Sequence, residues 1–308
     1  MVHIVKRRNR FANANRISLG ANLTLNVFFI MVVFLCLYPV LLVISISFTE
    51  SNALREGYRL FPRVLSLDGY RFAFTAGNSI VQAYGVTIFN TVVGTFMHVF
   101  ICSLFAYPLS RKEFKSRKFM MGFILVPMLF GGGMVPWYVV CTQVLGLKNT
   151  IWAMVIPSLF SSWNVIVLRT FIKNNIPESL IESVRLDGCS EFKTYLHIIL
   201  PLSKAGLAVI AFFTALGFWN DYWLSLMLIT EQRLFNLQYL LFNIIAQMQF
   251  FQSMAARNIS MPLSELLNIP AEATRMAMCV ITLGPIVFAY PFFQRFFVKG
   301  ITIGSIKG

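Results

Sequence analysis

The densest group of side chains able to bind a sugar is WNDYW, at positions 219–223. Aromatic rings pack on the apolar faces of sugars, and a few placed amides and carboxylates fix hydroxyl groups. Trp219, Asn220, Asp221 and Tyr222 supply both chemistries. Trp and Tyr also collect at membrane interfaces as anchors, so a pathway role and an anchoring role both stay open.

Two asparagines are further candidates for lining a pathway. Asn90 and Asn164 are polar residues inside long apolar runs, and polar residues at such places commonly mark a substrate route. His98 also falls in an apolar run, where it either lines a pathway or bonds a neighbouring helix.

A second chemical group is a run of charges. The stretch ESVRLDGCSEFKTYLHIILP, residues 182–201, carries five charged residues between two apolar runs. Five charges at a bilayer centre would cost about 12–18 kcal/mol, so this stretch must lie outside the hydrocarbon.

Enzyme chemistry is poorly represented. The three histidines are scattered, with no H-E-x-x-H pair and no zinc set. Asp68, Asp221 and Glu231 fall in or near expected outer loops, where solvated charge is ordinary. The five cysteines are widely spaced, and GITIGSIKG lacks the glycine spacing and lysine of a phosphate loop. The sequence therefore predicts no catalytic residue, no metal site and no cofactor bound by this chain.

The composition is that of a membrane protein. The 308 residues are 57% hydrophobic and only 12% charged, whereas a soluble domain is about 25% charged. The net charge of +14 does not indicate nucleic-acid binding, because the basic residues lie at the ends of apolar runs. Six runs are about long enough to span a bilayer. They are 23–48, 84–109, 119–141, 151–172, 202–228 and 276–298.

The basic residues predict the orientation. Eighteen Lys and Arg residues lie in 1–22, 110–118, 169–204 and 295–308, and eight lie on the alternate side. The positive-inside bias therefore places both termini and the charged stretch in the cytoplasm. The apolar segment 235–251 is interrupted by Asn and Gln, and we expect it to lie outside the membrane at an interface or against a partner.

The third span contains Pro127, three glycines at 131–133 and Pro136. Proline removes a helical donor and glycine loosens the backbone. Either the helix is broken near its outer end or it simply stops at the glycines.

The charged stretch predicts a helix, a turn and a second helix. Asn175 can cap the first helix, Pro177 suits its first turn, and Gly188 suits the left-handed residue that ends it. A second helix begins near Ser190, with an apolar stripe formed by Phe192, Tyr195, Leu196 and Ile199. The apolar faces of this cytoplasmic elbow need either a partner or the protein's own body to cover them.

These residues resemble a known family. Glu182-Ser183-Val184, three residues, Gly188, nine residues and Ile198-Ile199-Leu200-Pro201 resemble the EAA motif of ABC-importer permeases, with Ser and Val replacing two alanines. GLKNTIWAMVIPS, RTFIKNNIPESL, FWNDYWLSLMLI and the ending KGITIGSIKG look like the carbohydrate, maltose-type subgroup. GGGMVPWY resembles a branch of oligosaccharide permeases common in Gram-positive bacteria.

The resemblance implies an all-α, multi-pass membrane protein of the type I importer fold in a bacterial cell membrane. The expected partners are a second homologous permease subunit, two copies of a cytoplasmic ATPase that uses ATP and Mg²⁺, an extracytoplasmic substrate-binding protein, membrane lipid and an oligosaccharide. The ATPase-coupling residues it implies are Leu180, Ile181, Glu182, Val184, Leu186, Asp187, Gly188, Leu200 and Pro201. Leu180, Ile181, Val184 and Leu186 are expected to fill a socket on the ATPase.

The predicted organisation is a cytoplasmic segment 1–22, a transmembrane domain 23–298 and a cytoplasmic tail 299–308, which the resemblance places against the ATPase dimer. The domain includes the coupling elbow 175–201 and an outer loop 229–275. Two alternatives stay open: the same kind of permease for a non-sugar solute, and an ATP-independent secondary transporter. No intramembrane acidic residue is evident for proton coupling in the second case.

Overall fold

The structure is a computed structural model that describes residues 19–54, 56–75, 78–256 and 271–304. Predictions for residues 1–18, for 257–270 in the outer loop and for the last four residues of the tail lie outside these ranges. Within the described ranges the chain is mostly helical, and the only β pairing is an isolated bridge between Thr49 and Leu65.

The chain divides into two compact units. The smaller comprises Met1–Phe72 and Pro270–Val280. It contains helix α1, Leu19–Ser47, whose most apolar stretch has no buried residues, and the short helix α2, Ser51–Leu54. Ile46, Leu54 and Ala273 form its small core. The next helix is α3, Asp68–Thr75. A Cβ on Gly69 would lie 2.7 Å from the Ala273 backbone, so glycine permits this close approach.

The larger unit comprises Ala73–Ile269 and Ile281–Gly308. Its longest helix is α4, Asn78–Ser110, and two broken segments follow it. The first is α5, Arg117–Leu129, with α6, Met134–Val144; the second is a 3₁₀ segment, Ile151–Ser158, with α7, Ser162–Asn175. The charged stretch forms α8, Glu178–Leu186, and α9, Glu191–Leu202. The remaining helices are α10, Lys204–Asn220; α11, Trp223–Leu228; α12, Leu237–Ala256; and α13, Ala271–Gly304, which begins in the smaller unit.

Helix α4 is the scaffold of the larger unit, because both α10 and α7 pack along it. The main core lies near the C-terminal end of α4. Leu109 there contacts a cluster that includes Leu168 and Ile172 of α7 and Tyr195 and Ile199 of α9. The charged stretch is therefore attached to the rest of the unit through one continuous apolar core.

Three of the predicted spans are broken rather than continuous. The third span bends by 111° between α5 and α6, where Phe130 is extended and Gly133 has a φ of +81°. The fourth bends by 51° between Ser158 and Ser162. The fifth, predicted to run to residue 228, ends at Asn220 because Asp221 adopts an extended conformation before α11 begins.

Within the described ranges, two helices are long and apolar enough to cross a membrane alone. Up to five spans result if each of three bent pairs counts as one span, the third pair being α9 with α10, which meet at 79°. The two continuous spans are Gly20–Ser47 and Ser79–Ser110, which correspond to the first two runs predicted from the sequence. The predicted segment 235–251 forms most of α12.

Candidate functional site: an elbow and a polar cavity

The elbow consists of α8, the turn at Gly188 and α9. Gly188 has a φ of +78°, as expected for the residue that reverses the chain after a helix. The Ser190 hydroxyl accepts a hydrogen bond from the Lys193 backbone N–H and so caps α9. The prediction of a helix, a glycine turn and a second helix is confirmed in these residues.

The predicted start of the elbow is wrong by two residues. Asn175 is the last residue of α7, and its amide donates to the carbonyl of Phe171 at 2.9 Å instead of capping α8. Pro177 precedes the helix with φ −60° and ψ 143°, and it caps nothing with its side chain. Ile176, the residue before Pro177, is extended with φ −111° and ψ 110°, because a residue before proline is disfavoured in the helical region, and the two helices are separated here.

One side of the elbow is anchored in the protein's own core. Ile181 is only 2% exposed and lies in the cluster with Ile176 and Ile199, and Leu200 packs against the same cluster. The expectation that Ile181 fills a socket on a partner is therefore wrong for this structure: its side chain is already covered. A buried side chain of this size stabilises the elbow by about 1.5–3 kcal/mol relative to exposure.

The other side of the elbow is uncovered. Leu186 is 89% exposed, the highest value for any large apolar residue that the structure describes, and Leu180 is also exposed. Glu182, Asp187, Gly188 and Pro201 are exposed as well, and Val184 is half-buried. Its direct neighbours in the chain, Arg185 and Asp187, are charged, and charge at this point disfavours a position of Leu186 within the hydrocarbon of a membrane.

A charged cluster ties the elbow to α4 and to the loop after it. The Arg185 guanidinium pairs with Glu113 through Nη1 and donates from Nε to Glu191 at 2.7 Å. The other oxygen of Glu191 accepts from the Tyr107 hydroxyl at 2.7 Å. Lys112 pairs with Glu178 at the start of α8, at 2.9 Å. This cluster was not predicted from the sequence; only the charges of opposite sign in the two stretches hinted at it.

The electrostatics of the cluster favour ionised carboxylates. Burial alone would raise the pKa of Glu191, but the hydrogen bonds from Tyr107 and Arg185 outweigh it and lower that pKa. The Lys112 ammonium group, by its hydrogen bond and its charge, lowers the pKa of Glu178. The lowered pKa values favour the ionised carboxylates of Glu178 and Glu191 at neutral pH.

A polar cavity of about 320 Å³ lies elsewhere in the larger unit. Its polar lining residues are His98, Ser158, Asn164, Thr214 and Asp221, and its apolar wall is formed by Phe213, Gly217 and Phe218. Asn164 and Asp221 were predicted pathway residues, and His98 was left open between two roles. The structure brings these three residues to one cavity.

His98 both lines the cavity and bonds a neighbouring segment. Its Nδ1 lies 2.7 Å from the Ser158 carbonyl, which only accepts, so Nδ1 carries the proton and donates. Nε2 is then free to accept from the Asn164 amide at 2.8 Å. This pattern fits a neutral imidazole and orients the Asn164 oxygen away from the ring.

Asp221 differs from its expected setting. The sequence placed it in or near a solvated outer loop, but the residue is half-buried at the end of α10 and lines the cavity. Its side chain accepts from the Leu224 backbone N–H at 3.4 Å, and its carbonyl accepts from Asn236. The chain leaves the helix at Asp221, which turns this carboxylate towards α11 and the cavity.

The other predicted pathway residues do not reach this cavity. Trp219 is 8% exposed and donates to the Thr282 carbonyl at 3.2 Å, so in this structure it joins α10 to α13. Asn220 is exposed and accepts from Gln238, and the exposed ring of Tyr222 stacks on Phe242 of α12. Asn90 is buried beside Met154, with its carbonyl oxygen unpartnered among the described residues.

Comparison with known proteins defines the family. Residues 14–303 match the family described as binding-protein-dependent transport system inner membrane component. The chain belongs to this family. It is a permease subunit, a multi-pass membrane component of a transport system and not an enzyme, as the elbow motif predicted.

Among relatives of this permease, protein LplC of Bacillus subtilis (strain 168) is 35% identical over 88% of this chain and 89% of its own. The polygalacturonan/rhamnogalacturonan transport system permease protein YtcP of the same organism is 34% identical over 91% and 96%. The permease also resembles a chain in the crystal structure of a bacterial ABC transporter involved in import of the acidic polysaccharide alginate, with a TM-score of 0.76 and 23% identity. The match covers 90% of this chain and 96% of that chain. That last likeness establishes the fold of the permease.

Proposed function

We propose that this permease forms half of the translocation pathway of an ATP-driven importer for an oligosaccharide. A second homologous permease subunit forms the other half, and two copies of a separate ATPase use ATP and Mg²⁺ on the cytoplasmic side. An extracytoplasmic binding protein delivers the solute. The likeness to YtcP, named for polygalacturonan and rhamnogalacturonan transport, and to a transporter of alginate supports a saccharide as the solute.

We propose six spans with both termini in the cytoplasm. The support is the distribution of Lys and Arg, eighteen against eight, together with α13 as a sixth long helix. This orientation places the elbow on the ATPase side of the membrane. It also places the α5–α6 break on the opposite side, where broken helices are tolerated if they line protein or water.

The elbow is proposed to couple ATP hydrolysis to the pathway. Leu186 and the exposed Leu180 would insert into the ATPase, while Ile181 anchors another face of α8 in the permease core. Movement of α8 would then pass through Arg185 and Glu191 to Tyr107 on α4. The same helix carries His98, so a rigid-body shift of α4 changes the cavity wall.

The observation that carries this proposal is the position of Leu186 on a charged, non-membranous elbow with its side chain 89% exposed. Full burial of a Leu side chain contributes about 1.5–3 kcal/mol relative to exposure. We therefore expect Leu186→Ser to lower ATPase capture by the purified permease about tenfold or more.

Phe61→Ser is the matched control, because Phe61 is 82% exposed but lies in a loop proposed to be outside the cell. Capture of the ATPase by this variant should equal that of the wild type. Equal capture by Leu186→Ser and the wild type would contradict the coupling role.

The choice of an oligosaccharide over another solute is tested separately. Isothermal titration calorimetry of the cognate binding protein against oligosaccharides, amino acids and polyamines should give heat only with oligosaccharides. Binding of an amino acid or a polyamine alone would leave the permease role intact and reject the saccharide. Solute uptake into vesicles without ATP would instead support the secondary transporter.

A further inference from the structure

Arg111 is a buried cation for which the described residues provide one hydrogen bond and one aromatic contact but no ion pair. It follows α4 directly and is 7% exposed. Its Nε donates to the Ser110 hydroxyl at 3.1 Å, and its guanidinium carbon lies 5.5 Å from the centre of the Tyr107 ring. One terminal NH₂ group is buried with no acceptor among the described residues.

The nearby carboxylates are already engaged. Glu178 pairs with Lys112, Glu113 pairs with Arg185, and no ion pair joins Arg111 to any carboxylate in the described ranges. A buried guanidinium stays charged, and an unpaired buried charge costs several kcal/mol. Burial lowers the pKa of Arg111, because removing the guanidinium from water disfavours its charged form.

Arg111 lines a cavity of about 340 Å³ between the end of α4 and the junction of α7 with α8. Its other polar lining residues are Ser110, Lys112, Lys173, Asn174 and Glu178. Three cations therefore face one carboxylate, so the lining carries a net charge of +2. Lys173 is exposed and takes part in no ion pair with another described residue.

We propose that the cavity bounded by Arg111, Lys112 and Lys173 binds a phosphate group. The planar guanidinium can donate to phosphate oxygens, Lys173 supplies a point charge, and the Asn174 amide supplies a further donor. The bound group contacts both the end of α4 and the start of α8, and so stabilises the position of the elbow on α4 that the proposed coupling requires.

Two kinds of ligand present such a phosphate group. Basic pockets at the cytoplasmic ends of membrane helices bind the headgroups of anionic lipids, and a soluble phosphate offers the same oxygens. The site does not depend on the identity of the transported solute or on the ATPase, so binding is measured on the full chain alone.

The test uses two probes on the wild type, Arg111→Gln, Lys173→Gln and the control Lys115→Gln. Lys115→Gln removes the same charge from the same loop, but Lys115 is exposed and does not line the cavity. The first probe is inorganic phosphate, titrated by calorimetry. The second is phosphatidylglycerol mixed equally with phosphatidylcholine in nanodiscs, with retained lipid read by native mass spectrometry.

We expect at least one probe to bind the wild type. Its affinity or retention should be about tenfold lower for Arg111→Gln and about threefold lower for Lys173→Gln. It should be unchanged for Lys115→Gln. Retention of phosphatidylglycerol alone identifies a lipid headgroup, and heat with phosphate alone identifies a soluble ligand. If Arg111→Gln does not fold, Lys173→Gln against Lys115→Gln decides. Binding of neither probe, or equal loss in Lys173→Gln and Lys115→Gln, overturns the proposal.

Discussion

The elbow and the polar cavity are both built on α4, but they use opposite kinds of contact. At the elbow, Tyr107 of α4 meets a network of ionised groups that are partly exposed. In the cavity, His98 of the same helix makes hydrogen bonds only to neutral groups, among them the Ser158 carbonyl and the Asn164 amide. Exposed charge pairs are individually weak, but several of them fix a geometry. The elbow is thus suited to hold a shape, and the cavity is suited to exchange hydrogen bonds with neutral hydroxyl groups.

The largest expected effect separates the two faces of α8. Ile181→Ala removes a side chain from the core and should lower the free energy of unfolding by about 2–5 kcal/mol. Leu186→Ala, the matched change on the exposed face, should alter it by less than about 0.5 kcal/mol. Thermal or denaturant unfolding of the two purified variants checks this. A similar loss for both would mean that Leu186 is packed against the protein.

The next effect concerns the cavity. Asn164→Leu removes the donor to His98 Nε2 and one polar wall. We expect solute uptake to fall about tenfold, as for the loss of one or two hydrogen bonds to substrate or wall. Capture of the ATPase should be unchanged, because the elbow is intact. Asn52→Leu, at an exposed asparagine of α2 outside this cavity, is the control, and an equal fall in its uptake would reject the pathway role of Asn164.

The charged network gives a smaller effect. Arg185→Gln removes the links to both Glu113 and Glu191, and since Arg185 is partly exposed the cost should be about 1–2 kcal/mol. We expect the ATPase to bind normally but its stimulation by loaded binding protein to fall severalfold in reconstituted vesicles. Lys115→Gln, nearby in the chain, should behave as the wild type. Full stimulation of Arg185→Gln would show that the network does not transmit the movement.

The smallest effect is a pH dependence at Glu191. Its pKa is lowered in the folded state, so its contribution to stability is present above the unfolded value of about 4.3 and is lost as pH falls through the folded value. The melting temperature of the wild type should exceed that of Glu191→Gln by about 1–4 °C between pH 8 and 5, and the gap should narrow as the pH falls below about 4.3. A gap that widens on acidification would contradict this assignment.

The elbow was predictable because its signals are local. The spacing from Glu182 to Pro201, the glycine at 188 and the stripe of Tyr195 and Ile199 each constrain a helix or a turn within a few residues. The error at Asn175 arose because Asn can cap a helix or bond within one, and the neighbouring Pro177 decided between these outcomes.

Only some of the residues that line the cavity were predictable from the sequence. Asn164 stood out as a polar residue in an apolar run, but its pairing with His98 joins residues 66 positions apart. Trp219 and Asp221 are two positions apart in the chain, but α10 ends between them. Trp219 therefore packs against α13, whereas Asp221 lines the cavity. The network of Arg185 likewise joins residues 72 positions apart, and composition does not reveal such distant pairs.

Cross-linking from the exposed face of α8 tests the account most directly. A single cysteine at position 186, in a chain whose Cys189 and four other cysteines are replaced by serine, should form cross-links to the ATPase subunit in the assembled transporter. Cross-links that fall only on this chain's own helices would show that Leu186 is covered from within, and would contradict the elbow's role as the contact with the ATPase.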